Sequence, residues 1–379
     1  MRILQVITSL QVGGAEHIVV QLAQGLLGLG HVVDIAVFNG EETVFTEEAE
    51  AAGCKIYRLG GGVYNPAHIL KLSGLMWGYD IVHTHNSSPQ LFVALASVLC
   101  SVVAGKGHRP LLATTEHTTS NRKRGWKWYA PVESWMYGRY DHSICISGIA
   151  EQKLREYMGG GWLDVRSAKY QAISTVNNGV DVDGIRNAVP NRELAYGKQG
   201  RWAILMVAGF REAKDQDTIV RAMSRLPKDR FEVWFAGDGV RREEVQRLAQ
   251  ELDVAGNVKF LGLRADIPNV LRAADVIVMS SHWEGLSLSN VEGMSAGRPF
   301  IASDVNGLRE VTKGYGLLFG EGDDGQLADL IMGLYGNADY YKEVAGKCHE
   351  RAKMFDLSKM VGGYLQVYEQ LMRERGGTK

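Results

Sequence analysis

The sequence is poor in the residues that mark secreted, fibrous and polyanion-binding proteins. Its 379 residues include 4 Cys and 8 Pro, and the Lys+Arg total of 42 nearly balances the Asp+Glu total of 43. The cysteines are far apart and form no C-x-x-C pair, which predicts reduced thiols and neither disulfides nor structural zinc. A net charge of -1 provides no field to hold a polyanion, so nucleic acid is not expected as the main partner.

A long hydrophobic segment is also missing. The longest apolar run, 91–104, contains two serines and is too short to span a bilayer, so it predicts a buried helix. The first residues are strand-like and lack the apolar length and cleavage site of a signal peptide. We therefore expect a cytoplasmic protein.

Short β-branched runs alternate with helical patterns along the whole chain, and 45% of the residues are hydrophobic, enough for two proper cores. Such alternation predicts βαβ units and parallel sheets. One series of strands is expected at 3–8, 32–38, 55–59, 81–85, 111–115 and 142–146. A second series is expected at 203–207, 231–236, 258–261, 276–280, 299–302 and 316–319. The segment between the two series, which is Asn-Asn-Gly-Val-Asp at 177–181 followed by the polar stretch 190–200, is the expected hinge. A last helix is expected over 357–372.

The most informative segment is 281–299, which follows the apolar strand 276–280. It places Glu284, Gly285 and Glu292 around a helix N-terminus at the carboxyl end of a parallel strand, where open α/β sheets bind ligands. A structural alternative exists, because Ser289 and Glu292 have the spacing of a capping box and Gly297 is a common helix stop.

Glu284 and Glu292 form an E-x7-E pair that resembles the donor-binding signature of retaining glycosyltransferase family 4. Further motifs fit that family in order and spacing: Asn-Gly-Val-Asp at 178–181, Ala-Gly-Asp-Gly at 236–239, Phe-Leu-Gly at 260–262 with Asp-Ile-Pro at 266–268, and the segment 300–310. The resemblance implies a GT-B fold, an α/β architecture in which two Rossmann-like parallel-sheet domains face a central cleft. It implies an acceptor-side domain over 1–177, a nucleotide-sugar domain over 178–356, and a helix in 357–379 that packs back on the first domain.

The resemblance also implies an activity. We expect a hexosyl- or N-acetylhexosaminyltransferase that takes its sugar from a UDP- rather than a GDP-linked donor, retains the anomeric configuration and needs no cofactor. The acceptor would be a glycan, a lipid-linked sugar or another hydroxyl, in the synthesis of cell-surface polysaccharide or glycoconjugates. The alternatives are a GT-B epimerase or phosphorylase and a non-catalytic nucleotide-sugar-binding subunit.

The donor residues implied by the resemblance lie mostly in the second domain. Lys214 stands at the lysine of the family's diphosphate clamp, but Gly209 occupies the arginine position, so Arg211 is the candidate substitute. The alternative is that Arg211 forms a surface ion pair with Glu212 or Asp215. Glu292 is expected on the ribose hydroxyls and Glu284 on the sugar. The remaining expected donor contacts are Leu263 and Arg264 at the base, and Ser287, Leu288 and Ser289 at the sugar or phosphate.

In the first domain, Gly13 and Gly14 resemble the family's glycine loop over the donor phosphates, although a tight strand-to-helix turn would explain both glycines equally well. His117 follows a strand and matches a family position that faces the transferred sugar. A near-neutral pKa would suit it as acid, base or hydroxyl ligand. His83, His85 and Asn86 are further candidates.

Two D-x-D patterns, one at Asp181 and Asp183 and one at Asp215 and Asp217, are not expected to bind a metal. The first falls in the interdomain motif, and the second falls where a helix begins, where carboxylates serve as caps. We therefore expect no metal site, because the cationic clamp supplies the charge that a metal would.

A basic and aromatic stretch covers 122–129. The helical spacing of Trp128, Val132, Trp135 and Met136 predicts a core face. The preceding Arg122, Lys123 and Arg124 are expected in a solvated loop, or else in a peripheral contact with the inner face of a membrane that presents an anionic acceptor.

Overall fold

The computed structural model describes residues 1–11, 13–104, 109–117, 126, 128–159, 172–284 and 288–377. The chain forms two compact units, one made of Met1–Gly179 with Leu357–Lys379 and one made of Val180–Asp356. The boundary after Gly179 falls inside the 177–181 part of the expected hinge. The polar stretch 190–200 is not part of a hinge: it lies inside the second unit, and much of it forms a short helix that Asn191 caps.

The first unit contains a seven-stranded parallel sheet in the order β3-β2-β1-β4-β5-β6-β7. The last of these strands was not predicted from the sequence, whereas the other six were. The strands are β1 (Arg2–Ile7), β2 (Val32–Val37), β3 (Ile56–Arg58), β4 (Ile81–His85), β5 (Leu111–Glu116), β6 (His142–Cys145) and β7 (Ile173–Thr175). The helices are α1 (Gly14–Gly28), α2 (Val44–Ala51), α3 (Ala67–Met76), α4 (Ser87–Ala104), α5 (Ala130–Tyr137) and α6 (Gly148–Gly159).

The second unit contains a six-stranded parallel sheet in the order β10-β9-β8-β11-β12-β13. Its strands are β8 (Trp202–Val207), β9 (Phe231–Ala236), β10 (Val258–Gly262), β11 (Val276–Met279), β12 (Phe300–Ser303) and β13 (Leu317–Phe319). Its helices are α7 (Val182–Asn187), α8 (Arg192–Gly197), α9 (Gln216–Arg225), α10 (Arg242–Glu251), α11 (Ile267–Ala273), α12 (Leu288–Ser295), α13 (Arg309–Thr312), α14 (Asp324–Gly336) and α15 (Ala338–Ala352). The two-sheet α/β architecture confirms the predicted fold class.

The last helix, α16 (Leu357–Gly377), belongs to the first unit although it follows the second in sequence. Its apolar stripe is buried as its spacing predicted, and the helix runs beyond the expected end at residue 372. The buried residues are Met360, Val361, Tyr364, Val367, Tyr368 and Leu371. Val361 packs on α1, where the missing side chain of Gly25 makes room for it.

Each sheet reverses its strand order once. In the first unit the reversal falls between β1 and β4, and in the second it falls between β8 and β11. Ligands of open α/β sheets bind at such switch points, beyond the carboxyl ends of the strands, because the two connections there diverge to opposite faces. Of the candidate residues, Gly13, Gly14 and Asn86 follow the strands of the first reversal, and Arg211, Lys214 and Glu284 follow those of the second. His117 follows β5, and Leu263 and Arg264 follow β10.

All four cysteines are buried, and none of them forms a disulfide. Among the described residues no helix is both long enough and apolar enough to cross a membrane.

Candidate functional site

The switch point of the second unit is built by the loops that follow β8 and β11. These loops are joined through their backbones: Asp215 N–H donates to Ser280 O at 3.1 Å, and His282 N–H donates to Ala213 O at 3.0 Å. Lys214 forms an isolated bridge with Ser281. The two loops therefore act as one surface, which fixes where Lys214 and Glu284 emerge.

Lys214 forms an ion pair with Glu284 across these loops, and both side chains are largely buried. Ser281 Oγ donates to Glu284 Oε1 at 3.1 Å and orients the carboxylate. Burial and the charge of Arg211 lower the pKa of Lys214 to about 8. A cation held this way is poorly solvated, so an incoming anion gains more from it than from a surface lysine.

Arg211 lies beside the position where the family carries its clamp arginine. A Cβ built on Gly209 would stand 3.6 Å from Arg211 Nε, an ordinary van der Waals distance, so the guanidinium borders the space that a side chain at 209 would enter. The Asp215 carboxylate instead caps α9, accepting from Thr218 N–H at 3.2 Å. No ion pair joins Arg211 to Glu212 or Asp215 within the described part of the chain, so the alternative of a surface pair is wrong for this structure.

Two glycines after β9 let the neighbouring loop approach. Gly237 has a φ of +145°, and a Cβ there would lie 2.1 Å from Ala208 O. Gly239 has a φ of +155°, and a Cβ there would lie 2.4 Å from Phe210 O. The packing of the loop after β8 against the loop after β9 thus requires both glycines.

Glu292 lies in the second turn of α12. The helix begins at Leu288, so Ser289 is its second residue and cannot be its cap; the capping-box alternative is wrong. Gly297 follows the helix with a φ of +66°, which confirms it as the helix stop. Burial raises the pKa of Glu292. Gly285 and Ser287 lie outside the described residues.

Leu263 and Arg264 follow β10 at the same end of the sheet. Leu263 is an apolar side chain that is 83% exposed to solvent. Arg264 is held by Asp266 through two hydrogen bonds of 2.8 Å, and Asn191 donates to the same carboxylate at 2.9 Å. The loop therefore offers an apolar surface beside a fixed guanidinium.

Three of the four D-x-D carboxylates have partners within the protein. Asp181 Oδ1 accepts from Gly184 N–H at 2.8 Å as the cap of α7, Asp215 caps α9, and Asp217 pairs with Arg241 at 2.6 Å. The capping role expected for the second pair is confirmed for Asp215. Among the described residues, no group of three or more His, Cys, Asp and Glu could hold a metal ion.

In the first unit, Gly13 and Gly14 begin α1 directly after the switch-point strand β1. Gly13 has an extended φ of -169°, and its helix start has no side-chain cap. A Cβ on Gly14 would meet nothing within 4 Å, and one on Gly13 would meet only the end of the Glu16 side chain. The chain's own turn therefore gives no reason for either glycine, and the first N–H groups of α1 are left for another acceptor.

His117 follows β5 and ends a chain of buried polar side chains. Its Nε2 lies 2.8 Å from His85 Nδ1, and His85 Nε2 lies 2.7 Å from Gln5 Oε1. Burial lowers the pKa of His117 to about 4 and holds the pKa values of His83 and His85 well below the ordinary value. The expectation of a near-neutral His117 is wrong, because the imidazole is desolvated and has no carboxylate beside it.

The rest of this chain was not anticipated. Gln5 Nε2 lies 3.4 Å from the Tyr368 hydroxyl, which lies 2.6 Å from His83 Nδ1. Thr115 Oγ1 lies 2.7 Å from His83 Nε2 and 3.3 Å from the Tyr364 hydroxyl. The available signal was a lone glutamine inside the apolar strand 3–7, since a buried polar side chain needs a partner. We call these seven residues the histidine network: Gln5, His83, His85, Thr115, His117, Tyr364 and Tyr368.

Asn86 ends β4 next to the histidine network and has a φ of +73°. A left-handed backbone at a residue other than glycine is uncommon and costs about 1 kcal/mol or more, so it persists where surrounding contacts enforce it.

Aromatic side chains on α5 and in the turn just before it point outward. Trp128 is 71% exposed, Trp135 41% and Val132 37%, so the prediction of a core face is wrong for these three and holds for Met136. The helix buries Ala130, Glu133, Met136 and Tyr137 instead, one residue out of phase with the expected stripe. Trp126 and Trp128 stack with ring centroids 5.6 Å apart. Arg122, Lys123 and Arg124 lie outside the described residues.

Family models of known proteins match both halves of the chain. The model of "Glycosyltransferase Family 4" matches residues 12–183, and that of "Glycosyl transferases group 1" matches residues 195–353. The Bacillus subtilis protein EpsD, named as a glycosyltransferase, is 27% identical over 307 residues that cover 78% of this chain and 77% of its own.

Two further proteins carry informative names. An Escherichia coli UDP-Gal:alpha-D-GlcNAc-diphosphoundecaprenol alpha-1,3-galactosyltransferase is 26% identical over 253 residues, covering 60% of this chain and 59% of its own. The crystal structure of Anabaena HepE in complex with UDP superposes with a TM-score of 0.80 at 18% identity, covering 98% of this chain and 100% of that one. At that identity the likeness establishes the fold.

Proposed function

The chain belongs to glycosyltransferase family 4 and is a glycosyltransferase of GT-B fold, and we propose that it transfers a sugar from a UDP-linked donor, with retention, to the hydroxyl of a glycan or lipid-linked acceptor. UDP is favoured as the nucleotide because the solved relative HepE carries UDP and the E. coli relative is named for a UDP-linked galactose. The pathway proposed is cell-surface polysaccharide or glycoconjugate synthesis.

The observation that carries the proposal is the pair of cations at the switch point of the second unit. Lys214 is desolvated, and Arg211 is close enough to lower its pKa. Two neighbouring cations repel each other, and a bound diphosphate would relieve that repulsion. Glu284 neutralises Lys214 in the free protein, and the proposed donor replaces that ion pair with a diphosphate contact.

The same surface supplies the other donor contacts of the proposal. The Glu292 carboxylate accepts hydrogen bonds from the ribose hydroxyls, and Leu263 with Arg264 covers the base. Glu284, once released by Lys214, accepts from sugar hydroxyls, while Leu288 and Ser289 offer backbone N–H groups at the start of α12. Ser287, which precedes them in the sequence, is the remaining donor contact that the resemblance implies. Gly13 and Gly14 contribute the uncapped start of α1 to the phosphates, as the family resemblance implies.

In the proposed reaction the bond between the anomeric carbon and the UDP oxygen breaks while the acceptor oxygen attacks the same face. The acceptor proton passes to the departing phosphate oxygen, and UDP leaves with its added negative charge balanced by Lys214 and Arg211. No covalent nucleophile is assigned. His117 stays neutral, since its pKa is about 4, and contacts a hydroxyl of the transferred sugar.

The proposal is tested by UDP binding and by turnover in the purified full-length protein. Titration calorimetry with UDP and GDP is compared for wild type, Glu292→Ala and the matched variant Glu343→Ala, whose carboxylate forms an exposed pair with Lys347. We expect tighter binding of UDP than GDP and a loss of at least about tenfold for Glu292→Ala alone, the cost of one charged hydrogen-bond acceptor.

Turnover separates the alternatives. A panel of UDP-sugars is incubated with and without acceptors, and UDP, sugar phosphate and epimerised donor are followed by chromatography. Release of UDP with a product of retained configuration supports the transferase. Sugar phosphate or epimer would support the phosphorylase or epimerase, and tight UDP binding without turnover on any donor would support the non-catalytic subunit.

For the acceptor we propose a lipid-linked hydroxyl presented at an anionic membrane surface. The exposed face of α5 is apolar and aromatic, and the sequence places Arg122, Lys123 and Arg124 just before it. Indoles at the interface and cations toward anionic headgroups are the usual elements of peripheral binding.

Vesicle sedimentation tests this contact. We expect binding to phosphatidylglycerol vesicles that weakens in the double variant Trp128→Ala, Trp135→Ala, and little binding to phosphatidylcholine vesicles. Trp77→Ala is the control, since Trp77 is 39% exposed on another element of the same unit. Equal sedimentation of wild type and the double variant would contradict the proposed surface.

A further inference from the structure

The histidine network lies on one face of the first sheet, beneath α16. Gln5 of β1 is opposite His83 of β4, and His85 is opposite Thr115 of β5, so strand register places all four side chains on the same face. Tyr364 and Tyr368 of α16 complete the network from above, and every member but His117 is buried. Solvent therefore has little access to the side chains whose hydrogen bonds determine which nitrogen of each imidazole carries the hydrogen.

Each imidazole of the network carries a single hydrogen at neutral pH. Burial lowers the pKa of all three histidines, and for His83 and His85 the neighbouring histidines lower it further. A neutral imidazole has one nitrogen that donates and one that accepts, so a hydrogen bond at one nitrogen dictates the role of the other.

Gln5 determines which atom donates and which accepts in the hydrogen bonds of the network. Its Oε1 faces His85 Nε2, and an amide oxygen only accepts, so His85 carries its hydrogen on Nε2. His85 Nδ1 is then an acceptor, and His117 must donate to it from Nε2. On the other side, Gln5 Nε2 donates to the Tyr368 hydroxyl, which donates in turn to His83 Nδ1.

We infer that Gln5 is a positioning residue that, through His85, fixes His117 in the tautomer whose Nδ1 is bare. His117 Nδ1 has no hydrogen-bond partner among the described residues. It presents a lone pair, so the group it recognises is a hydrogen-bond donor, such as a sugar hydroxyl, and not a phosphate oxygen. The assignment of the tautomer stands on the network alone, whereas the identity of the hydroxyl rests on the proposed function.

The tautomer is read directly by two-bond ¹H–¹⁵N correlation in full-length protein labelled with ¹⁵N-histidine, with His117 assigned by its loss in His117→Asn. We expect the hydrogen on Nε2 in wild type. Tyr368→Phe leaves Gln5 Oε1 in place for His85 and retains this pattern. Gln5→Met removes the acceptor and yields a mixture of the two tautomers.

A hydrogen on Nδ1 of His117 in wild type would overturn the inference, as would an unchanged His117 pattern in folded Gln5→Met. Kinetics give an independent readout: Gln5→Met should lower kcat/KM about tenfold, the loss of one hydrogen bond, whereas Tyr368→Phe, which keeps Gln5 Oε1 in place, should lower it less. If no donor is turned over, the proposed function fails while the tautomer result still stands. Turnover with the opposite tautomer would sink the inference alone.

Discussion

At the residue scale, the proposed diphosphate clamp takes one of its cations from Arg211, two residues beyond the position that the family resemblance implies. Arg211 Nε lies 3.6 Å from the place that a Cβ on Gly209 would occupy, so the two positions adjoin the same space. If the proposal holds, a cation at either position serves the same diphosphate.

A positional exchange tests this replacement. Arg211→Ala should lower kcat/KM about a hundredfold, the usual cost of removing one donor to developing charge. Adding Gly209→Arg to Arg211→Ala should restore most of that loss, because the guanidinium returns from the family position. Arg221→Ala, an exposed arginine on α9, is the control. Failure of the added arginine to restore any activity in a folded double variant would refute the exchange.

The lowered pKa of Lys214 predicts how nucleotide binding depends on pH. The lysine is charged below its pKa of about 8 and neutral above it, so binding is strongest at and below neutral pH. The dissociation constant of UDP should rise toward tenfold per pH unit above about 8, as one bound proton requires. Calorimetry from pH 7 to 9 measures it. In Lys214→Arg the guanidinium stays charged, and the rise should vanish; a flat wild-type profile would contradict the assignment.

At the scale of elements, the contact between α1 and α16 closes the first unit. Val361 Cγ2 would lie 2.4 Å from a Cβ on Gly25, closer than atoms can pack, whereas a Cβ on Gly28 of the same helix meets nothing within 4 Å. The two glycines have the same helical preference but opposite surroundings. Alanine substitutions at the two positions therefore distinguish the effect of helix propensity on stability from the effect of packing against α16.

Urea denaturation of two alanine variants measures that difference. Gly25→Ala should lower the free energy of unfolding by about 1–3 kcal/mol through overpacking, despite its gain in helix propensity. Gly28→Ala should leave it unchanged or raise it by up to about 1 kcal/mol. Val361→Ala, added to Gly25→Ala, should recover part of the loss. Equal effects of the two glycine variants would mean that α16 does not pack closely on α1.

Sequence patterns predicted where strands and helices lie better than they predicted which faces are buried and which side chains pair. Twelve of the thirteen strands followed from β-branched alternation, and the missed strand, Ile173–Thr175, is short and lies at a sheet edge. The stripe of α5 was placed on the wrong face, because large aromatic side chains at helical spacing mark burial in a core and a ligand surface equally well. The pairing of Gln5 with His85 could not be predicted, since register joins residues 80 positions apart.

At the scale of the whole molecule, the second unit is one continuous stretch of chain, whereas the first is assembled from both ends. The second unit also contains Lys214, Arg211, Glu292, Leu263 and Arg264, which are all the base, ribose and clamp contacts proposed for the nucleotide. The nucleotide part of the proposed site should therefore be separable from the remainder.

Excision of residues 180–356 tests that separation. The fragment should fold cooperatively and bind UDP within about tenfold of the full-length protein, since the uncapped start of α1 contributes only one set of N–H contacts. The same fragment with Lys214→Ala is the control and should bind far more weakly. A folded fragment without measurable affinity for UDP would show that the nucleotide is held mainly by the first unit.

Because α16 belongs to the first unit but comes last in the sequence, the first unit cannot complete its fold during synthesis until the second unit has been made. Domains fold as units from the N-terminus, yet Tyr364 and Tyr368 leave the ribosome after the whole second unit. Until then Gln5 and His83 lie beneath an open apolar face without their hydroxyl partners. The unit that is synthesised first is therefore completed last, and the interval before α16 arrives is when the nascent chain is most exposed to aggregation.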